Sequence, residues 1–193
     1  MLASYNEIRQ AARALSGSRV AVPMGHDPAS LAALIEASET GLAGSVIVAP
    51  AAEVERSLQE MGRSLPSDIQ VVDCSDPETA SMEAVRLVSS GEAGMLMKGL
   101  IKTSIFQKAI LDKEIGLRTG RVLSHVAVVY APRQKRLVAI TDGGMNIRPD
   151  IDQARQIAAN AGDVMMRLGA EKPLIALLAA VEVVNEKMPE TLL

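Results

Sequence analysis

The sequence predicts an α/β protein, layered αβα around a mostly parallel sheet, and three observations predict it. Short apolar runs alternate with amphipathic stretches at intervals of about twenty-five residues, the spacing of right-handed βαβ units. Hydrophobic residues make up 48% of the 193 residues but aromatics only 2%, so core volume must come from Val, Ile, Leu, Ala and ten Met. That composition suits strands that are apolar on both faces. The pattern then changes beyond Arg121 to two apolar runs joined by a short loop, which predicts an antiparallel pair and a second lobe.

The elements follow in order. Ser4-Tyr5-Asn6-Glu7 has the capping-box spacing and opens a helix to about Leu15, closed near Gly17. Arg19–Pro23 (RVAVP) is a first strand. Asp27 or Ser30 caps a helix through Leu31, Leu34 and Ile35 that stops at Gly41. Ser45–Ala49 (SVIVA) is a second strand, and Pro50 opens a helix over Val54, Leu58 and Met61. Ile69–Asp73 (IQVVD) is a third strand, followed by a helix over roughly Glu78–Ser89. Met95–Met97 is a fourth strand, and the helix after it carries Ile105, Ala109 and Ile110. The antiparallel pair is Leu123–Ala131 with Leu137–Ile140. The loop Thr141–Pro149 leads to a helix over Asp150–Leu168, ended by Gly169, and Pro173 precedes a last strand, Leu174–Ala179. A boundary near Arg121 divides a first α/β domain, residues 1–121, from a partial second, residues 122–193.

Bulk properties exclude several classes. A net charge of −3 with scattered basic residues gives no nucleic-acid signal. The single cysteine, Cys74, forms no internal disulfide, which points to a reducing compartment. No apolar run approaches the length of about eighteen residues that a spanning helix needs, and no signal-peptide core opens the chain. A cytoplasmic protein without membrane partners is expected. Two isolated histidines, with no CxxC and no HExxH, predict no metal site.

Ligands on parallel sheets sit beyond the carboxyl ends of the strands, which directs the search for a site. Three stretches qualify. In "GMLMKGLIKTS" (Gly94–Ser104), Lys98 and Gly99 lie at the end of the fourth strand, and Lys102, Thr103 and Ser104 at the start of the next helix. Full positive charge beside free helix N–H groups suits a phosphate-like anion, and Gly99 permits close backbone approach. A solvated lysine and a plain helix cap explain Lys102 and Thr103 equally simply. The GxxxxGK[ST] loop is absent.

In "EIGLRTGRVLSH" (Glu114–His125), Arg118 and Arg121 flank a Thr-Gly turn, and guanidinium groups bind phosphate at two points. A surface turn with solvated arginines is the plainer alternative, and His125 reads as a hydrogen-bonded strand residue. In "ITDGGMNIRPD" (Ile140–Asp150), Asp142, Gly143, Gly144 and Asn146 again follow a strand and precede a helix. Asp142 equally pins its own turn, and Asp150 is a helix N-cap by default. His26-Asp27 ends the first strand, with Asp27 as a cap.

Four strings carry a resemblance: "LMKGLIKTSIFQKAIL", "KEIGLRTGRVLSHVAV", "ITDGGMNIRPDIDQARQIAANA" and "VEVVNEKMPET". They resemble the phosphate acetyl/butyryltransferases, most of all the phosphate butyryltransferases, through nearly the whole chain and most densely from Met95 to Thr191. The resemblance implies acyl transfer between coenzyme A and inorganic phosphate. Both are substrates, with no resident cofactor. It further implies a bacterial cytoplasmic enzyme, a homodimer or larger assembly, and two α/β domains of isocitrate/isopropylmalate dehydrogenase-like architecture with a cleft between them. Arg118 stands where relatives keep an arginine in that cleft. Lys98-Gly99 and Asp142-Gly143-Gly144 match strings of the family.

Family members also continue beyond the position of Leu193. They carry there the rest of the second domain, a returning segment of the first, and a Ser-Arg pair with an aspartate assigned to catalysis. The expectation is therefore a fragment or a natural short form with its second lobe incomplete. Arg118, Lys98 and Asp142 are its catalytic candidates. Gly99, Lys102, Thr103, Ser104, Arg121, Gly143, Gly144 and Asn146 are its substrate-binding ones. A non-catalytic phosphate- or acyl-CoA-binding or assembly module is the competing class. A metal- and NAD-dependent dehydrogenase of a phosphorylated hydroxy acid is a third, for which the acidic or histidine ligands are lacking.

Overall fold

The computed structural model describes residues 2–15, 17–179, 181, 183–188 and 191. They form two compact units: Arg9–Thr119, here the sheet unit, and Met1–Ile8 with Gly120–Leu193, the hairpin unit. The chain passes between them inside the first helix, α1 (Tyr5–Ala14), and again at Thr119–Gly120.

The sheet unit is the expected parallel sheet. Strands β1 (Arg19–Pro23), β2 (Gly44–Ala49), β3 (Ile69–Asp73) and β4 (Met95–Leu96) lie in the order β3-β2-β1-β4. Every pairing is parallel, with Val22 opposite Ile47 and Ala21 opposite Leu96. Strand alternation sorts the core into two layers. On one face Val20, Val22, Ile47 and Ala49 pack with Leu31, Leu34 and Ile35 of α2 (Pro28–Glu39) and Val54 of α3 (Ala51–Met61). On the other, Ala21, Val46 and Val48 pack with Ala80, Ala84 and Leu87 of α4 (Pro77–Ser89). Both central strands are therefore apolar on both sides.

Caps explain where these helices begin. Asp27 accepts from the Ser30 N–H at 3.0 Å, and Asp76 from the Thr79 N–H at 2.8 Å, each followed by a proline at the first helical position. Pro50 has no side chain to cap α3, and the Asp73 carboxylate at the end of β3 takes the Ala51 N–H instead, at 2.9 Å. Gly62 ends α3 in the left-handed region, φ +61. Strand β4 is shorter than expected, although the Met97 N–H still reaches the Ala21 carbonyl at 2.9 Å. A short helix, α5 (Thr103–Ile110), follows it.

In the hairpin unit, β5 (Val126–Ala131) and β6 (Arg136–Thr141) pair antiparallel, with Val129 opposite Val138. Helix α6 (Ile151–Arg167) packs on them through a small core of Leu137, Ile157 and Ala161. Asp150 and Gln153 form a full capping box at its start, so Asp150 is the cap the sequence suggested. The Ser4–Glu7 box is displaced by one residue. Ser4 Oγ accepts from the Glu7 N–H at 3.3 Å, but the Glu7 carboxylate takes the Ala3 N–H rather than that of Ser4, at 2.9 Å.

Two expectations are corrected. The strand expected from Leu123 starts at Val126, and Leu174–Ala179 forms no strand. The second failure has a plain cause: a strand needs a hydrogen-bonded neighbour, and neither β5 nor β6 takes this segment. Among the described residues, no helix is long and apolar enough to cross a membrane.

Candidate functional site

In the sheet unit, the candidate residues surround α5. Lys98 and Gly99 follow β4 at the carboxyl edge of the sheet, as expected. Gly99 does permit a close backbone approach, and its partner is the chain itself. A Cβ there would lie 2.5 Å from the carbonyl oxygens of both Pro23 and Met24. The Leu100 N–H donates to the Met24 carbonyl at 2.8 Å, and buried Ile101 anchors the turn from below. Met24 itself sits at φ +53, so the loops after β1 and β4 are locked together by a strained residue on one side and a glycine on the other. His26 follows on the same edge, its Nδ1 buried and without a hydrogen-bond partner.

Lys102 is the N-cap of α5, and its side chain cannot accept a hydrogen bond. The helix therefore starts at Thr103 with no side-chain cap: the N–H groups of Ile105 and Phe106 donate to the Lys102 carbonyl at 3.1 and 3.2 Å, and among the described residues those of Thr103 and Ser104 stay open. Lys98, Lys102, Thr103 and Ser104 are all exposed there, and neither lysine makes an ion pair among the described residues. The dipole and the two ammonium groups favour an anion at this end.

Arg118 belongs to the opposite end of the same helix. After α5, the Asp112 carboxylate accepts from the N–H groups of Glu114 (2.8 Å) and Ile115 (3.0 Å), and the Leu117 N–H returns to the Ile110 carbonyl at 2.8 Å. Gly116 is required in this fold-back, since a Cβ would lie 2.3 Å from the Asp112 carbonyl oxygen. Arg118 emerges exposed and makes no ion pair among the described residues. At 1.5 Å per residue α5 is about 12 Å long, so its length separates the Lys98–Lys102 end from the turn that carries Arg118.

In the hairpin unit the structure brings His125, Asp142 and Asn146 into one hydrogen-bonded cluster, and ties Arg121 separately to α6. Arg121 Nη1 donates to Asp163 at 2.6 Å and more weakly to Asn160 at 3.4 Å, so this guanidinium is already paired. Asp142, at φ +49, accepts from the N–H groups of His125 (3.2 Å) and Asn146 (2.9 Å) through both carboxylate oxygens. Burial works to raise its pKa, but the hydrogen bonds from Asn146 and His125 outweigh it and hold the carboxyl below its ordinary value. It is a poor base and a firm staple, in keeping with the turn-pinning role its sequence position allowed. Asn146 Nδ2 donates to the Leu123 carbonyl at 3.0 Å. Gly143 and Gly144 are exposed, with open space where a Cβ would be.

Gln156 and Asn160 of α6, which hold Val122, were not candidates in the sequence reading. Their signal was a pair of amides four residues apart on a helix otherwise patterned by apolar residues.

Comparison with known proteins agrees with the architecture and the strings. The family model described as phosphate acetyl/butaryl transferase matches residues 77–192. The phosphate butyryltransferase of Clostridium acetobutylicum is 36% identical over 192 residues, covering 100% of this chain and 64% of its own length. A probable phosphate butyryltransferase of Bacillus subtilis is 42% identical over 137 residues, 70% of this chain and 46% of its own. The crystal structure of a branched-chain phosphotransacylase from Enterococcus faecalis superposes with a TM-score of 0.70 at 29% identity, over 91% of this chain and 60% of that one. The chain thus spans less than two thirds of the length of these relatives. Parallel sheet, matched strings and structural likeness converge, and the chain belongs to the phosphate acetyl/butaryl transferase family.

Proposed function

We propose that this chain carries the phosphate-binding part of a phosphate acyltransferase that moves a short, butyryl-like acyl group between coenzyme A and inorganic phosphate. The observation that carries this reading is the start of α5, without a side-chain cap and flanked by Lys98 and Lys102, which make no ion pair among the described residues. It lies in a chain that aligns over 100% of its own length with 64% of a phosphate butyryltransferase. In the forward step a phosphate oxygen attacks the thioester carbonyl, and the tetrahedral oxyanion collapses with loss of the thiolate, which takes up a proton. No covalent acyl-enzyme is needed. The protein's task is to hold a multiply charged anion beside the thioester and to stabilise the oxyanion. Lys98, Lys102 and the N–H groups of Thr103 and Ser104 suit the phosphate. Arg118, exposed and without an ion pair among the described residues, suits the oxyanion or a second anionic group. The pairing of Arg121 and the internal bonds of Asp142 and Asn146 support reading those three as holding the loops rather than the reactants. Coenzyme A thioester and phosphate enter as substrates, with a cytoplasmic homo-oligomer as the working form.

The test is release of thiol from butyryl-CoA with phosphate. Turnover that falls by about two orders of magnitude in Arg118→Ala, the range for loss of an oxyanion ligand, supports the reading. Unchanged turnover in Arg118→Ala and Lys98→Ala removes it. A second reading is a binding or assembly module without turnover. It is favoured by the exposed Leu174, Leu177 and Leu178, an apolar run of the kind that partners cover. Phosphate or coenzyme A binding by calorimetry in the absence of thiol release would select it.

A further inference from the structure

The two edges of the hairpin sheet are treated differently. On β5 the Tyr130 N–H donates to the Tyr5 hydroxyl, and that hydroxyl donates to the Val128 carbonyl. Val128 and Tyr130 therefore point their backbone groups away from β6. Residues directly opposite in an antiparallel ladder share this sense. Val128 lies opposite Ala139 and Tyr130 opposite Leu137, so Leu137 and Ala139 point theirs away from β5, as does Thr141 two residues on. Among the described residues nothing pairs with these groups, and the sheet ends at β6. Leu137–Thr141 (LVAIT) carries no charge, proline or bulge, the usual deterrents on an open edge. The chain's own apolar run, Leu174–Ala179, lies elsewhere. Ile175 sits against α6, where a Cβ on Gly162 would meet its Cδ1 at 3.9 Å.

We propose that the open edge of β6 docks a second copy of this chain, β6 against β6, antiparallel about a twofold axis through Ala139. The proposal concerns the hairpin unit alone and does not depend on the acyl-transfer reading. Hydrogen bonding sets the register, because outward residues bond only to outward residues. Centring on Ala139 pairs all of them: Ala139 with the partner's Ala139, and Leu137 with the partner's Thr141. Charge favours the same arrangement. Arg133, Lys135 and Arg136 crowd the turn before β6, exposed and without an ion pair among the described residues. A parallel pairing would set the two basic turns side by side, whereas the antiparallel one sets Arg136 across from the partner's Asp142. Exposed Ile140 then lies beside the partner's Val138. It thereby extends the apolar face of Ala127, Val129 and Val138 that β5 and β6 turn away from Leu137. Tyr5 fills the outer edge of β5 in each copy, so the combined sheet, β5-β6-β6-β5, has no edge to extend and association stops at two.

Sedimentation velocity on the full chain tests this: as concentration rises, the mass should converge on twice that of the monomer. Tyr5→Phe, with its second edge freed, should pass beyond that limit. Ala139→Pro deletes the central outward N–H, at a position where an edge strand tolerates proline because that N–H bonds nothing within the chain. Ile140→Lys sets a charge beside the partner's Val138 on a side chain already exposed. Both variants should keep the parent's circular dichroism and dimerise about tenfold more weakly or worse. Cross-linking checks the register independently of their folding. In a Cys74→Ser background with an added disulfide oxidant, Ala139→Cys should form a covalent dimer, since opposed residues of a bonded pair lie about 5.5 Å apart at Cα. Val138→Cys, opposite the partner's Ile140, should not. A parent that stays monomeric overturns the proposal. So does a monomer whose Leu137 and Ala139 amides resist exchange, the mark of the chain's own segment on that edge. A dimer untouched by Ala139→Pro and Ile140→Lys, or equal cross-linking at 138 and 139, places the interface elsewhere and also overturns it.

Discussion

Gly99 shows how much can depend on a missing methyl group. Its Cα faces two carbonyl oxygens, of Pro23 and Met24, at a distance no Cβ tolerates, and those oxygens belong to backbone that cannot swing aside. Gly99→Ala should therefore push the loop after β4 away from β1. The expected cost is about 1–3 kcal/mol, the range for overpacking, read as a lower denaturation midpoint. Phosphate binding at the start of α5 should weaken with it, because Lys98 and Lys102 flank the displaced turn. An unchanged midpoint would show that the loop relaxes freely. Asp142 makes the converse case, a residue defined by the bonds it accepts. Its folded pKa lies below its ordinary value, so the stability it contributes is present above about pH 4, the unfolded value, and is lost as pH falls through the folded one. Asp142→Asn should be less stable than the parent at pH 7, and the gap between their melting temperatures should narrow as pH falls below about 4. A gap that stays constant with pH would exclude the carboxylate as the stapling group.

At the scale of elements, the exposed edge of β5 is guarded from an unexpected quarter. Tyr5, on α1, accepts from the Tyr130 N–H at 3.2 Å and donates to the Val128 carbonyl at 3.1 Å, filling two ladder positions with one hydroxyl. Tyr5→Phe should cost about 1 kcal/mol and open the edge to strand addition. A concentration-dependent rise in sedimentation coefficient would report it, and a strictly monodisperse variant would argue against the guard. Nothing in "SYNE" announces this, because the partner lies more than a hundred residues away. The same distinction runs through the whole chain. Strands β1 to β3 and the caps Asp27 and Asp150 were legible, since an apolar run and a side chain three residues from an N–H are local facts. Lys98 and Gly99 were placed at a strand end for the same reason. What Gly99 packs against depended on β4 lying beside β1, and the Arg121–Asp163 pair on α6 folding over a strap 42 residues earlier. Leu174–Ala179 has the composition of a strand, but composition supplies no partner. Leu123–His125 was read as strand because it runs into the apolar Val126–Ala131, although Asn146, Asp142 and Thr141 of the same hairpin hold it outside the paired ladder.

At the scale of the whole molecule, the apolar core is divided unequally. The sheet unit buries two full layers around β1 and β2, including Val22, Leu31, Ile47 and Val48 with no exposed surface. Among the described residues of the hairpin unit, the buried hydrophobic side chains are Leu137, Ile157 and Ala161 alone, while Leu174 and Leu178 remain 93% and 90% exposed. Burial contributes roughly 25 cal/mol per Å² of apolar surface. Side-chain hydrogen bonds, such as those of Asp142 and Asn146, contribute only about 1 kcal/mol each. The hairpin unit should therefore open before the sheet unit does, as a separate cooperative step. Native-state hydrogen exchange in low denaturant tests this directly. Amides of β5 and β6 should exchange through an opening of lower free energy with its own denaturant dependence, while those of β1 and β2 exchange only with global unfolding. A single shared free energy for both sheets would mean that the hairpin unit draws its stability from more than its own core. In either case the ordering bears on function. A phosphate site at the start of α5, within the sheet unit, would persist through the first opening. Phosphate binding that survives at denaturant concentrations where β5 amides already exchange would place the anion site in the sheet unit alone.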